Sequence, residues 1–285
     1  MHIVAWVVRD VLLSGLLVSL VASIGAGFFL HRLTAWHFGE RAGWRAVILL
    51  YAFPTAYVLA APFSEVLFLC AVLAAVYAAR IGKWPLVGVA GAVGTATRMT
   101  GGALGPALLI TAFMGPATVW QRAGRVAWCA LAAAGLAAYL AINWRLHGNL
   151  LYFTIPERTN WQNQAAWPWE FVYSSLTALW AGKAGGFTFI YGSVVASFAI
   201  AIPLLTVAVF KLRAADTVYG WVAFIVMASA SWSISLGRYL LAVYPLFIVG
   251  AVLCRSRWML YPVAAVCAAV QGWLMWQYAA GQWTF

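Results

Sequence analysis

Charged side chains are scarce in this chain of 285 residues, where they make up 8% of the sequence and only six of them are acidic. A soluble domain ordinarily carries about 25% charged residues. Hydrophobic residues reach 65% here, and a soluble core could not cover that much apolar surface, because soluble chains of this length divide into domains with polar exteriors. The composition excludes an ordinary soluble enzyme and predicts an all-α, polytopic integral membrane protein.

Residue patterns that bind metals and common cofactors are also missing. The four cysteines lie inside apolar segments with no CxxC pair, and the histidines have no metal-ligand spacing. There is no P-loop, no dinucleotide-binding fingerprint and no nucleophile elbow. We therefore predict no metal, no cofactor and no disulfide. The residues concerned are Cys70, Cys129, Cys254, Cys267, His2, His31, His37 and His147.

Long apolar runs dominate the sequence. A transmembrane helix needs about 20 mainly apolar residues, and the runs predict about ten helices in a single domain, 1–285. The predicted spans are 11–31, 44–62, 64–80, 84–98, 103–120, 125–145, 186–210, 217–235, 238–254 and 258–279. The lipid bilayer is thus the first expected partner.

The basic residues alternate from linker to linker. Eleven of the 17 lysines and arginines lie in or beside five short linkers: Arg32, Arg41, Arg45, Arg80, Lys83, Arg122, Arg125, Lys211, Arg213, Arg255 and Arg257. By the positive-inside rule these linkers are cytoplasmic, which puts both termini and a long loop, 146–185, outside. Because the cations are scattered and not clustered on one water-facing surface, the net charge of +11 does not indicate a nucleic-acid partner.

Three charged residues in or beside the spans are the main functional candidates, since a charge is costly there. Glu65, Arg98 and Arg238 all fall at predicted external helix ends, so we expect them to converge on an outward-facing cavity. Arg98, which is followed by paired glycines, and Arg238 would bind the phosphate of a substrate, and Tyr239 beside Arg238 would add a hydrogen bond. Glu65 would bind substrate hydroxyls, orient an arginine or act as a base. Helix capping by Glu65 and snorkelling of the arginines are the alternatives.

The loop 146–185 combines carboxylates, amides and indole rings, a mixture that suits a sugar. Its candidates for sugar binding are Trp161, Gln164 and Trp167, and Glu157 is, like Glu65, a candidate for the catalytic carboxylate. An amphipathic segment at the membrane surface with structural tryptophans is the alternative interpretation.

Several segments, in order, resemble the PIG-V-type mannosyltransferases, polytopic glycosyltransferases of the GT-C superfamily. They are HFGERAGWRAVILLYAFPTAYVLAAPFSEVLFL, GTATRMTGG, HGNLLYF and SLGRYLLAVYPLF. The resemblance implies transfer of a mannosyl unit, with inversion at the sugar carbon, from a polyprenyl-phosphate donor to a lipid- or protein-linked acceptor at the outer face. In a bacterium that face belongs to the plasma membrane.

One departure from the family pattern leaves other functions open. The family begins with an additional helix and an external loop with a catalytic aspartate, and residues 1–31 correspond to the part of the family pattern after that loop. Asp10 falls too late to be that aspartate, so the resemblance leaves the catalytic base unassigned. A truncated or catalytically silent homologue that acts as a partner subunit is one alternative, and a transporter or flippase for a lipid-linked substrate is the other.

Overall fold

A computed structural model describes residue 6 and residues 8–282, and this part of the chain is helical with no β-strand. The all-α prediction is confirmed. The helices are α1 (Val11–Phe38), α2 (Glu40–Ala52), α3 (Ser64–Arg80), α4 (Trp84–Thr97), α5 (Leu104–Phe113), α6 (Val119–His147), α7 (Thr154–Asn160), α8 (Glu170–Trp180), α9 (Thr188–Lys211), α10 (Ala214–Ala228), α11 (Leu236–Tyr239), α12 (Pro245–Leu253) and α13 (Arg257–Ala279). The predicted external termini, with His2, lie outside the described residues.

Four helices are long and apolar enough to cross a bilayer. They are α1, α6, α9 with the short turn before it, and α13, and a fifth crossing is possible if α11 and α12 form one bent span. Two shorter apolar helices, Met99–Phe113 and Ala214–Ala228, fall below that length. Membrane insertion and the number of ten spans therefore stay predictions.

Four of the predicted continuous helices end early or break, and each of these errors lies near proline or a serine-rich segment. In contrast, α1 and α6 are longer than expected, at Val11–Phe38 and Val119–His147. The helix expected over 44–62 ends at Ala52, because Phe53 is extended before Pro54. The one expected over 103–120 ends at Phe113, ahead of Gly115 and Pro116. The one expected over 217–235 ends at Ala228, before the segment SASWSIS.

The last error concerns 238–254, where the chain bends by 81° between the two helical pieces Leu236–Ala242 and Pro245–Leu253. Pro245 has no N–H to donate to a preceding carbonyl, so a helix cannot run through it undisturbed. This bend turns α11 away from the axis of α12.

Helix α3 is the centre of the core. Val66, Phe68, Leu69, Val72 and Leu73 on this helix are all almost completely buried. Next to it, α4 and α6 approach closely through small residues: a Cβ atom on Gly135 would lie 1.9 Å from the carbonyl oxygen of Ala92. Small residues at a helix contact allow the two backbones to approach this closely.

The molecule has two ends with different compositions. At the end that we call the basic end, two cavities are lined by residues in or beside the linkers after α1, α9 and α12. Contacts of Arg80 and Arg125 connect the linkers after α3 and α5 to this end. Arg45 donates there to the carbonyl of Ala251 at 3.5 Å, and the guanidinium of Arg125 lies 5.4 Å from the ring centre of Trp84. The other end, which we call the cavity end, contains the start of α3, the end of α4, helix α11 and the segment 146–185.

Candidate functional site

An ion cluster forms around Glu65 at the cavity end. Glu65 lies in the first turn of α3, after Phe63 in an extended conformation, and only 3% of its side chain is exposed. One carboxylate oxygen, Oε1, contacts Nη1 of Arg98 at 2.8 Å and Nε of Arg238 at 2.9 Å. The structure thus brings together the three charged residues singled out in the sequence.

Two chain breaks place the arginines beside Glu65. Arg98 ends α4 in an extended conformation, and its Nη1 also lies 3.4 Å from the hydroxyl of Ser64. Arg238 lies on the short helix α11, whose Gly237 carbonyl accepts a hydrogen bond from Thr55 at 3.2 Å. The irregular segment after Pro54 therefore helps to hold α11, and with it Arg238, against the start of α3.

Aromatic rings cover the guanidiniums. The ring of Tyr239 lies 4.6 Å from the guanidinium carbon of Arg98 and 5.2 Å from that of Arg238. The ring of Phe63 lies 5.3 Å from the guanidinium carbon of Arg238. These cation–π contacts keep both arginines in place while 16% and 17% of their side chains stay exposed.

The charges of this Glu65 cluster do not cancel. Two guanidiniums share one carboxylate, so one positive charge is left over. A buried carboxylate loses several kcal/mol of solvation, which contact with an oppositely charged group offsets only with good geometry. Here two cations surround it, and an anion that approached the partly exposed arginines would find a favourable field.

A cavity of about 500 Å³ opens next to the cluster and is lined by Arg238 and Tyr239 on one side. Glu157, Trp161 and Asn163, from the segment 146–185, line another side. Asn163 donates to Oε2 of Glu157 at 3.2 Å. This volume lies within the range of about 300 to 1,000 Å³ that small-molecule sites occupy.

Backbone pairing fixes the 146–185 segment on the rest of the protein. The N–H of Ser231 donates to the carbonyl of Gln164 at 2.8 Å, and the N–H of Ala166 donates to the carbonyl of Ser229 at 3.3 Å. The side-chain oxygen of Asn163 accepts from the N–H of Trp232 at 3.2 Å. The segment also contains α7 and α8, so it is a folded cover and not an extended loop.

Two residues predicted to bind sugar do not line this cavity. Gln164 contributes its backbone to the pairing with Ser231, and its side chain is exposed. The indole of Trp167 is 67% exposed and stacks on Trp169 with 5.3 Å between ring centres. Gln164 and Trp167 therefore lie apart from the cavity, whereas Trp161 and Glu157 line it, and sugar binding by any of these residues stays a prediction.

Other residues that line the cavity were not predicted from the sequence. Trp232, Ser233 and Tyr278 line it, although they come from a serine-rich break and from the last helix, where no charge or motif marks them. Packing explains one of the paired glycines after Arg98, because a Cβ atom on Gly101 would lie 2.8 Å from the Cα atom of Thr95. Gly102 has open space around it.

Within the described part of the chain, no three His, Cys, Asp or Glu side chains lie close enough to hold a metal ion. Comparisons with protein-family models, with curated proteins and with solved structures found no match for this chain.

Proposed function

We propose that the chain is an integral membrane glycosyltransferase that transfers a hexose, mannose by the motif resemblance, from a polyprenyl phosphate to a lipid- or protein-linked acceptor at the outer face. The observation that carries the proposal is the excess positive charge of the Glu65 cluster beside a cavity of about 500 Å³. A cationic group next to a cavity with a carboxylate and an indole ring suits a phosphate-linked sugar.

The surface of the long helices supports insertion in a membrane. Only 17% of the apolar window of α6 and 11% of that of α13 are buried inside the protein. Exposed apolar side chains on them include Ile142, Val263 and Val266. Lipid would cover such surfaces, and the concentration of cations at the basic end agrees with a cytoplasmic position for that end.

In the proposed reaction, the bond between the sugar carbon and the phosphate oxygen breaks, and that oxygen leaves with the electron pair. Arg238 lines the cavity and would stabilise the negative charge that develops on the departing phosphate. Arg98 would contribute through the shared cluster. Glu65 contacts both arginines already, so we assign it the role of a positioning residue that holds the two cations.

The acceptor must lose a proton as its hydroxyl oxygen attacks the sugar carbon from the opposite side. Glu157 is the candidate general base, because its carboxylate lines the cavity and receives a hydrogen bond from Asn163 that fixes its orientation. Trp161 offers an indole face for the C–H face of the sugar.

The test measures transfer of radiolabelled mannose from polyprenyl phosphate mannose to lipid acceptors by the full chain purified in lipid nanodiscs. We expect Arg238→Gln to lower the rate by about 10²-fold or more, and Glu157→Gln to lower it by roughly 10² to 10⁴-fold. Glu170→Gln is the matched control, since Glu170 is an exposed carboxylate of the same segment that does not line the cavity.

Three results would contradict this function. Wild-type rates in both cavity variants would show that the reaction happens elsewhere. Donor uptake into proteoliposomes with no covalent product would show a transporter. Transfer that appears only with a co-purified second protein would show a partner subunit of another enzyme.

A further inference from the structure

A second cavity, of about 240 Å³, lies at the basic end, on the opposite side of the core from the Glu65 cluster. Its walls come from the end of α1, the turn between α9 and α10, and α12. Lys211, Arg213 and Asp216 supply its charges, and Leu33 and Phe38 supply apolar surface. We call it the basic pocket.

The one carboxylate in the basic pocket is already occupied. Oδ2 of Asp216 contacts Nη2 of Arg80 at 2.5 Å, and Oδ1 accepts a hydrogen bond from the hydroxyl of Tyr244 at 2.6 Å. Asp216 is 3% exposed and the side chain of Arg80 is 1% exposed. Because both oxygens have buried partners, the negative charge of Asp216 balances the positive charge of Arg80. Among the residues that line this pocket, Lys211 and Arg213 have no second carboxylate to balance their charges.

The guanidinium of Arg80 also lacks hydrogen-bond acceptors. Its Nε and Nη1 atoms are buried and have no hydrogen-bond partner among the described residues. Arg80 does not itself line the basic pocket, but its carboxylate partner does. The side chain of Arg80 is 1% exposed, so these nitrogens do not reach a ligand in the pocket, and Arg80 acts on the pocket only through the field of its charge.

The charges of the basic pocket therefore sum to an excess of cations. Three cations, Arg80, Lys211 and Arg213, are set against the one carboxylate of Asp216. Burial lowers the pKa of the Arg213 guanidinium, and the nearby positive charge of Arg80 lowers it further, although Asp216 partly counteracts both. Helix α10 begins at this wall with no side-chain cap on its first N–H groups, which adds partial positive charge.

We propose that the basic pocket binds a phosphate group, carried either by a phospholipid headgroup or by free inorganic phosphate. Lys211 and Arg213 donate to the phosphate oxygens from the turn that joins α9 to α10. Leu33 and Phe38 form the apolar side, which suits the glycerol and upper acyl region of a lipid. The site is distinct from the Glu65 cluster and does not depend on the proposed glycosyl transfer.

The experiment has two arms, both with the full chain purified in detergent. In one arm inorganic phosphate is titrated in a calorimeter, and in the other retained phosphatidylglycerol is counted by native mass spectrometry. The test variant is the double substitution Lys211→Gln with Arg213→Gln, both at exposed positions. The matched control is Lys83→Gln with Arg122→Gln, which removes the same charge from exposed positions at the basic end but outside the pocket.

We expect the test variant to weaken binding roughly tenfold or more in at least one arm, because charge-assisted hydrogen bonds are lost, while the control changes it less than about twofold. A loss confined to the lipid arm identifies a headgroup site, and a loss in the phosphate arm identifies a site for the free anion. Equal losses in test and control would show a general effect of surface charge and overturn the proposal. No loss in either arm would also overturn it.

Discussion

Helix α3 carries an ion pair at each end, and the two differ in how they meet solvent. Glu65 lies in its first turn and Arg80 in its last, about 22 Å apart at a rise of about 1.5 Å per residue. At the first end, one carboxylate meets two arginines that are 16% and 17% exposed beside a cavity. At the second, the Arg80 side chain is 1% exposed and meets one carboxylate.

Contacts between a carboxylate and a guanidinium therefore serve two purposes on α3. A one-to-one pair that is sealed from solvent has no net charge, although two Arg80 nitrogens lack acceptors among the described residues, and it fixes α3 against α10. A two-to-one cluster beside a cavity keeps a positive charge that an incoming anion can use. Both also agree with the dipole of α3, since an acid lies at its amino end and a base at its carboxyl end.

The largest effect on stability is expected at the buried ion pair of Arg80 and Asp216. Asp216→Ala leaves the buried Arg80 guanidinium without its counter-ion, which should lower the free energy of unfolding by about 3 to 5 kcal/mol. Unfolding of the purified chain in bicelles by added SDS measures it. The double variant Arg80→Met with Asp216→Leu should recover most of the loss, and a small effect of Asp216→Ala alone would mean that water reaches Arg80.

Glu65→Gln should destabilise less, by about 2 kcal/mol, because the arginines that lose their counter-ion are partly exposed and can be hydrated. The same unfolding experiment measures it, with Ser64→Ala as a neighbouring control whose hydroxyl makes only the 3.4 Å contact with Arg98. Glycosyl transfer should fall in Glu65→Gln even where the protein stays folded. A loss of stability equal to that of Asp216→Ala would remove the distinction between the two ends.

Tyr244→Phe should lower the free energy of unfolding by about 1.5 kcal/mol, because the hydroxyl donates to the charged carboxylate of Asp216 at 2.6 Å. Tyr219→Phe is the matched control. Its ring stacks on that of Tyr244 with 5.0 Å between centres, but its hydroxyl donates to a neutral carbonyl, that of Ala242. If Tyr219→Phe costs as much as Tyr244→Phe, the charge of Asp216 does not strengthen the bond.

Tyr239→Leu should have the smallest effect, about 1 kcal/mol, because it removes two cation–π contacts from partly exposed arginines. Tyr239→Phe keeps the ring and should stay close to the native stability in the same unfolding measurement. An equal loss in both variants would assign the effect to the hydroxyl and not to the ring.

Some helix positions were readable from the sequence, as α3 shows: the expected and observed bounds coincide at residues 64 and 80. Where Pro54, Pro116 or Pro245 follows an apolar run, hydropathy alone overestimated the helix, because it does not register a missing N–H donor. The expected meeting of Glu65, Arg98 and Arg238 followed from helix count and direction. This prediction holds although some helices are shorter than expected, because a break near the end of a helix does not move a residue to the opposite end of the molecule.

The sequence by itself determined the all-α class, because apolar runs dictate helices, and it predicted that Glu65, Arg98 and Arg238 lie at a common end. Only the tertiary structure decided that Oε1 of Glu65 serves two arginines, that Asp216 seals Arg80, and that Trp161 but not Trp167 reaches the cavity. Those outcomes depend on helix rotation and on the docking of 146–185 against Ser229 and Ser231. Both are set by contacts between residues far apart in the chain, which no local pattern records.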